Sequence, residues 1–89
     1  MNITDVRVKK FHGQNRLKAI AAITIDECFV VHELRIIDGK AGLFVAMPSR
    51  KMPNGEFKDV AHPINQETRN LIEQAVIEAY HQLPDDDEE

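Results

Sequence analysis

Alternating apolar and polar positions predict a β-hairpin at the start of the chain. Between Ile3 and Phe11, apolar side chains alternate with polar and charged ones, and a period of two residues is typical of a β-strand. A second alternating run spans residues 16–25, with apolar side chains at every odd position from Leu17. The segment between the runs, residues 12–15, is rich in turn-forming residues. We therefore expect two antiparallel strands joined by this turn.

The middle of the chain predicts two further strands. Residues 28–37 are dense in β-branched and apolar side chains, which favours a strand. Residues 38–42 contain Gly39 and Gly42 and form the predicted loop. Residues 43–47 are apolar on both faces, so we expect this fourth strand to be covered from both sides.

The segment after Pro48 predicts a short hairpin that carries positive charge. Asn54-Gly55 lies between two extended segments and is a strong turn signal. Arg50 and Lys51 precede this turn, and Lys58 follows it. The expected element is a protruding basic hairpin with these three cations on its arms.

The period then changes from two to 3.6 residues, which predicts a C-terminal helix. Asn65 is a good N-cap residue, and the charge of Glu67 suits the first helical turn. Apolar residues recur at spacings of three and four and form the predicted buried stripe: Leu71, Ile72, Ala75, Val76, Ala79, Tyr80 and Leu83. We expect Pro84 to end the helix.

Together these elements predict an α+β fold, with an antiparallel β-sheet of four to five strands, the protruding basic hairpin and one C-terminal α-helix. Residues 1–83 are expected to form a single domain. A helix of about 18 residues covers one face of such a sheet and not both. We therefore expect a homodimer, in which a second copy covers the other face or an edge.

Composition restricts the classes of protein that remain. The chain has 89 residues, which allows one small domain of marginal stability as a monomer. Its single cysteine, Cys28, excludes an intrachain disulfide and a multi-thiolate metal site. We expect no metal and no other cofactor. No apolar run has the length of a membrane span and the N-terminus does not resemble a signal peptide, so a cytoplasmic protein without a membrane partner is expected.

Charge is distributed unevenly along the chain. The net charge is −4, although ten of the eleven Lys and Arg residues lie within residues 1–58. Residues 85–89 are all acidic and follow a proline, which predicts a disordered, solvated tail at 84–89. The alternative is that this tail mimics nucleic-acid phosphates and competes for a basic patch.

A first basic cluster is predicted on the N-terminal hairpin. If the polar faces of its two strands coincide, Arg7 and Lys9 lie near Arg16 and Lys18. Like charges opposite each other repel, so the cluster would be disfavoured unless anions bind against it. This arrangement is the first indication of a surface for a polyanion.

The sequence contains no convincing enzyme site. Its four histidines have no metal-binding spacing, and Cys28 and His32 on one strand would be too far apart for proton transfer. His62 is expected to be a hydrogen-bonded residue at the helix entrance, and His32 a half-buried strand residue. A hydrolase that uses His62 or Cys28 remains the minor alternative. The five aromatic residues are expected to lie mostly in the core: Phe11, Phe29, Phe44, Phe57 and Tyr80.

The remaining basic residues could form a nucleic-acid contact. Arg50 and Lys51 with Lys58 across the turn, and Arg35 on a neighbouring strand, would make a compact cation group. Such cations neutralise phosphates, and arginine can pair with a guanine edge in the major groove. The alternative is that basic residues on strands only keep exposed edges soluble.

The same region carries a resemblance to a known family. Its motifs are Gly42-Leu43-Phe44-Val45-Ala46-Met47-Pro48-Ser49-Arg50-Lys51, Gly55-Glu56-Phe57 and Ala61-His62-Pro63-Ile64-Asn65. Over roughly residues 1–83 the chain resembles the stage V sporulation protein G (SpoVG) family of septation proteins. The resemblance implies a small bacterial cytoplasmic protein that forms dimers, binds DNA site-specifically or RNA, and influences sporulation, septum formation or virulence genes.

The resemblance also implies site residues. The family's basic pair after the Met-Pro-Ser segment corresponds to Arg50 and Lys51, which are the leading candidates for nucleic-acid contact. Arg35 and Lys58 are added because of their predicted positions. The acidic tail after Pro84 departs from longer relatives, and so do residues 12–15. What the resemblance implies is therefore not carried over to these two regions.

Two functions of different classes follow. The first is a dimeric regulator that binds DNA through Arg50, Lys51, Lys58 and Arg35, with RNA, which some family members bind, as a further ligand. The second is an interaction factor of the division-septum machinery that engages a protein partner without binding nucleic acid. Binding through phosphates would weaken steeply with salt, whereas binding to a protein would respond far less.

Overall fold

The fold is α+β, as the sequence predicts. The computed structural model describes residues 1–11 and 15–83. The elements are β1 (Ile3–Lys10), β2 (Leu17–Ile25), β3 (Phe29–Gly39), β4 (Gly42–Ala46), β5 (Ser49–Lys51), β6 (Phe57–Asp59) and α1 (Gln66–Gln82). Most of the predicted first turn, the helix stop at Pro84 and the acidic tail lie outside the described residues.

Strands β1 to β4 form one antiparallel sheet in chain order, and β5 pairs with β6 in a second, two-stranded sheet. Each pair of neighbouring strands in the first sheet is joined by a hairpin connection, so β1 and β4 are its edges. The two sheets together contain all the strands that the sequence predicts. The small β5–β6 sheet is called the ribbon below.

One face of the first sheet, here called the core face, packs against α1. On β2, Ala19, Ala21 and Ile23 are buried, and on β3 so are Leu34 and Ile36. Burial at alternate positions confirms the predicted side of β2, because side chains two residues apart on a strand point to the same face. The opposite face of the sheet, called the outer face below, does not contact α1.

Helix α1 begins as predicted. The side-chain oxygen of Asn65 accepts a hydrogen bond from the Thr68 backbone N–H at 2.7 Å, which satisfies one of the free donors of the first turn. Ile72 and Val76 are buried against the sheet. The predicted stripe is wrong at Leu71, which is 44% exposed, while Ile77 packs against the core instead.

Two polar contacts attach α1 to opposite edges of the sheet. The Lys10 ammonium at the end of β1 donates to the Leu83 carbonyl at 3.1 Å and lies 4.7 Å from the centre of the Tyr80 ring. A cation at a helix C-terminus also interacts favourably with the helix dipole. At the other edge, the Glu73 carboxylate accepts the Val45 backbone N–H at 3.1 Å. The helix therefore spans the sheet from β1 to β4.

The turn between β2 and β3 uses left-handed backbone at two residues that are not glycine. Asp26 and Glu27 have φ values of 51° and 59°, a conformation that suits the twist of a tight hairpin. Asn2 and Thr4 hold the turn: the Asn2 backbone N–H donates to the Asp26 carboxylate, and the Glu27 backbone N–H donates to the Thr4 hydroxyl. The start of β1 therefore stabilises a strained connection.

The prediction that the phenylalanines lie in the core is wrong. Phe11, Phe29, Phe44 and Phe57 are between 40% and 69% exposed. For Phe44 the reason is topological: β4 is an edge strand, its Val45 side faces α1, and no element among the described residues covers the outer face on which Phe44 lies. His32 is also exposed, since it lies at an irregularity in the β2–β3 pairing.

We expect Leu34→Ala to destabilise the protein by roughly 2 to 5 kcal/mol, because it opens a cavity in the core. Leu34 is fully buried. Leu71→Ala is the matched control, since the same atoms are removed from a side chain that is 44% exposed, and it should cost less than about 1 kcal/mol. Urea denaturation at one fixed protein concentration measures both. Equal losses would contradict the described position of the helix.

Candidate nucleic-acid interface

The ribbon is closed by a five-residue turn. The Gly55 backbone N–H donates to the Met52 carbonyl at 2.9 Å, and the Met52 N–H donates to the Glu56 carbonyl at 2.7 Å. Gly55 has a φ of 91°, which glycine adopts without steric cost. The Asn54 side chain accepts the Glu56 N–H and closes the turn further. The predicted Asn-Gly turn signal is therefore confirmed.

Arg50 and Lys58 lie directly opposite each other in the ribbon. Directly opposed residues of an antiparallel pair share a face and have Cβ atoms about 5 Å apart. Both side chains are exposed, and no carboxylate within the described part of the chain pairs with either of them. This face of the ribbon is called the Arg50–Lys58 face below.

Lys51 lies on the other face of the ribbon. Its partner across the strands is Phe57, and Ser49 and Asp59 form the neighbouring pair on the same side. Phe57 is 69% exposed and borders a shallow concavity that Ile20, Glu33, Arg35 and Ser49 complete. This arrangement places Lys51 beside an exposed aromatic ring rather than beside Arg50.

Arg35 connects the ribbon to the first sheet. Its guanidinium donates to the Met47 carbonyl and to the Ser49 hydroxyl, both at 3.0 Å. Both acceptors lie in the segment that leads from β4 into β5. Arg35 thus holds the base of the ribbon, on the side opposite the Arg50–Lys58 face, and the four predicted residues do not form one compact group. Its contact with nucleic acid stays a prediction.

The cations of the N-terminal hairpin share the outer face only in part. Arg7 lies opposite Ala22 and Lys9 opposite Ile20, which places both on the outer face by strand alternation. Lys18 lies at an irregularity in the β2–β3 pairing, between Leu17 and Ala19. Arg16 instead donates to the Asp38 carbonyl at 3.2 Å. Arg7 forms an exposed ion pair with Asp5 at 3.0 Å, and such a pair stabilises little.

The candidate catalytic residues His62 and Cys28 lie at the helix entrance and in the turn between β2 and β3. His62 donates through Nδ1 to the Pro63 carbonyl at 3.0 Å, which confirms its predicted place as a hydrogen-bonded residue at the helix entrance. Cys28 is exposed. Across residues 1–11 and 15–83, no three His, Cys, Asp or Glu side chains converge as a metal site would require. In the same part of the chain, no helix combines the length and apolar character needed to cross a membrane.

The sequence alone did not predict that the ribbon cations are divided between its two faces. Which of its cations share a face depends on the register between β5 and β6, and that register depends on the length of the turn. The loop of three residues between Met52 and Glu56 leaves Arg50 opposite Lys58. Counting outward from this turn would have found the pair.

Comparison with known proteins identifies relatives over nearly the whole chain. The SpoVG family model matches residues 1–82. The chain is 61% identical over 80 residues to "Putative septation protein SpoVG" of Caldicellulosiruptor bescii, covering 90% of this chain and 91% of the relative. It is 53% identical over 88 residues to the protein of the same name from Bacillus pumilus, covering 99% and 90%.

We expect Arg35→Met to loosen the base of the ribbon, because both hydrogen bonds of the guanidinium are lost. The Val60 backbone N–H donates to the Pro48 carbonyl at 2.7 Å and reports on this segment. Its protection from hydrogen exchange should fall by about tenfold. Lys40→Met, in the exposed turn between β3 and β4, is the control and should leave that protection unchanged. Unaltered protection in Arg35→Met would contradict the positioning role.

Proposed function

The chain belongs to the SpoVG family, and we propose that it is a dimeric, cytoplasmic nucleic-acid-binding regulator that acts in septation or sporulation. Its ribbon contacts the sugar–phosphate backbone of DNA, and in a related mode RNA. Arg50, Lys58 and Lys51 supply the contacts, and Arg35 holds the ribbon in position. The names of the relatives, which are septation proteins, support the cellular role.

The observation that carries this proposal is the Arg50–Lys58 face. Two like charges directly opposite each other on paired strands destabilise the pair. No carboxylate of the described residues relieves this repulsion. A phosphate placed between the two cations would relieve it and release counterions. The local cost in the free protein is therefore recovered when a polyanion binds.

Two copies of the ribbon would extend the contact along a duplex. A dimer doubles the number of neutralised phosphates, and a two-stranded ribbon fits the major groove of B-form DNA. Phosphate contacts position the protein, while base contacts determine sequence preference. Arg50 is the residue suited to a guanine edge, because its guanidinium can donate two parallel hydrogen bonds.

The second candidate function is protein interaction in the septum machinery without direct nucleic-acid binding. Exposed apolar side chains support it, among them Ile64 at 89%, Phe57 at 69% and Val60 at 64%. Clustered exposed apolar side chains mark surfaces that bind proteins. The two candidates differ in salt response, since apolar contacts are strengthened rather than screened by salt.

We expect Arg50→Ala/Lys58→Ala to weaken nucleic-acid binding by at least about tenfold at low salt and to reduce the slope of log K against log salt by about one per lost phosphate contact. The measurement is a salt series of mobility shifts with duplex DNA and single-stranded RNA of random sequence. Both residues are exposed, so the fold should be retained.

The matched control is Lys40→Ala/Lys9→Ala, which removes the same net charge from positions outside the ribbon. It should reduce affinity less than the ribbon variant. Equal losses in both variants would indicate attraction by total charge and refute the ribbon as the contact. Binding by the wild type that does not change between about 50 and 200 mM salt would refute phosphate contact itself.

A further inference from the structure

Glu33 lies on β3 where the pairing with β2 is irregular. The two steps from Ala21 to Ile23 on β2 correspond to three steps between Val31 and Leu34 on β3, so β3 contains one extra residue there. Glu33, within this bulge, has a φ of 67°, which glycine adopts freely and other residues rarely do. A bulge redirects a side chain and often lies next to a binding site. Here it presents an exposed carboxylate.

Glu33 and Phe57 line the same shallow concavity, between the first sheet and the ribbon. Ile20, Arg35 and Ser49 complete its lining, and its volume is about 210 Å³. That volume corresponds to roughly seven water molecules, which is space for one small planar group. Phe57 is 69% exposed, so most of its ring is accessible to such a group.

The charges around the Phe57 ring are mixed. Lys51 lies directly opposite Phe57 in the ribbon, and Arg35 lines the concavity. The carboxylates are Glu33, on the bulge, and Asp59, on the same ribbon face as Phe57. Within residues 1–11 and 15–83 neither carboxylate forms an ion pair. A ligand that fits this surface therefore combines a planar face, an anionic group and hydrogen-bond donors.

An unpaired nucleotide combines these three features. Its base stacks on an exposed aromatic ring, and its phosphate is attracted to a lysine such as Lys51. Guanine presents two adjacent donors, N1–H and N2–H, on its Watson–Crick edge, and the two oxygens of one carboxylate accept both. A cationic side chain of a peptide also stacks on aromatic rings, but Lys51 and Arg35 would repel it. A base within a duplex has its faces covered by its neighbours, so the ligand is single-stranded.

We propose that this concavity binds an unpaired guanine of single-stranded RNA or DNA, with the base on Phe57, its Watson–Crick edge on the Glu33 carboxylate and its phosphate on Lys51. The inference rests on the nucleic-acid binding of the proposed function and adds a second site to it. The Arg50–Lys58 face points to the other side of the ribbon. One face of the ribbon therefore contacts phosphates of any sequence, and the other selects a base.

Tryptophan fluorescence tests the stacking contact, because the chain contains no tryptophan. Phe57→Trp keeps an aromatic surface and supplies a single reporter. Its emission should be quenched by an oligoribonucleotide of about nine nucleotides, all uridine except for a central guanine. The same strand paired with its complement should bind without this quenching.

Phe29→Trp is the matched control for the fluorescence measurement. Phe29 is 62% exposed and does not line the concavity, so the emission of this reporter should stay constant. Quenching of both reporters, or of neither at saturating single strand, would overturn the inference. Equal quenching of Phe57→Trp by the duplex would overturn it too, because a paired base cannot stack on the ring.

Affinity provides a second measurement of the same contact. Phe57→Ala should weaken binding of the single strand by about fivefold to 100-fold, because the stacking contact is lost. Its affinity for duplex DNA should stay that of the wild type, and so should the single-strand affinity of Phe29→Ala. Circular dichroism verifies that both variants are folded. Equal losses on single strand and duplex in Phe57→Ala would indicate damage to the whole ribbon and refute the site.

Inosine in place of guanine tests the contact with Glu33, because inosine lacks the N2 amino group. The wild type should prefer the guanine strand over the inosine strand by at least about fivefold, and Glu33→Gln should abolish this preference. The ratio of the two affinities is the readout, since removing a negative charge strengthens binding to both strands. A ratio that is unchanged in Glu33→Gln would refute the base contact. The deoxy forms of both strands show whether RNA or DNA supplies the guanine.

Failure of this site is distinct from failure of the proposed function. A wild type that binds neither duplex nor single strand would refute both. If the wild type binds and Arg50→Ala/Lys58→Ala weakens that binding, while the Phe57 and Glu33 variants behave like the wild type, only the guanine site is refuted.

Discussion

The structure depends on a single helix packed against one face of a four-stranded sheet. Burial of Ile72 and Val76 against the core face supplies the apolar contact, and two polar contacts determine where the helix lies. Lys10 binds the helix C-terminus at the β1 edge, and Glu73 caps the Val45 N–H at the β4 edge. Because both edges are attached to the same helix, the helix packs on the core face, and no element of residues 1–11 and 15–83 packs on the outer face.

This one-sided packing leaves the rest of the chain available for binding. The ribbon is not part of the core, and Arg35 attaches its base to the first sheet through the segment between β4 and β5. The cations opposite each other on the ribbon repel, whereas the surface at the helix entrance exposes the apolar side chains of Val60 and Ile64. The molecule thus separates a cationic surface on the ribbon from an apolar surface at the helix entrance.

Much of the fold could be predicted from local patterns. Alternation on β2 identified the buried side, the Asn65 cap identified the start of the helix, and the Asn54-Gly55 signal identified the ribbon turn. These features depend on neighbours within a few residues, so the order of residues contains the information needed. The burial of a residue that depends on neighbours distant in the chain was harder to predict. The sequence predicts that Phe44 lies in the core, yet it is exposed on the outer face.

The sequence by itself therefore determined the element types, their order, the α+β class and the basic character of the ribbon, because periodicity and turn chemistry are local. Only the tertiary structure decided which cations share a face. It separated Arg35 from Arg50 and Lys58, and paired the latter two, because register and sheet position relate residues that are far apart in the chain. It also decided which apolar side chains stay exposed, such as Phe44, since a single helix packs against only one face of the sheet.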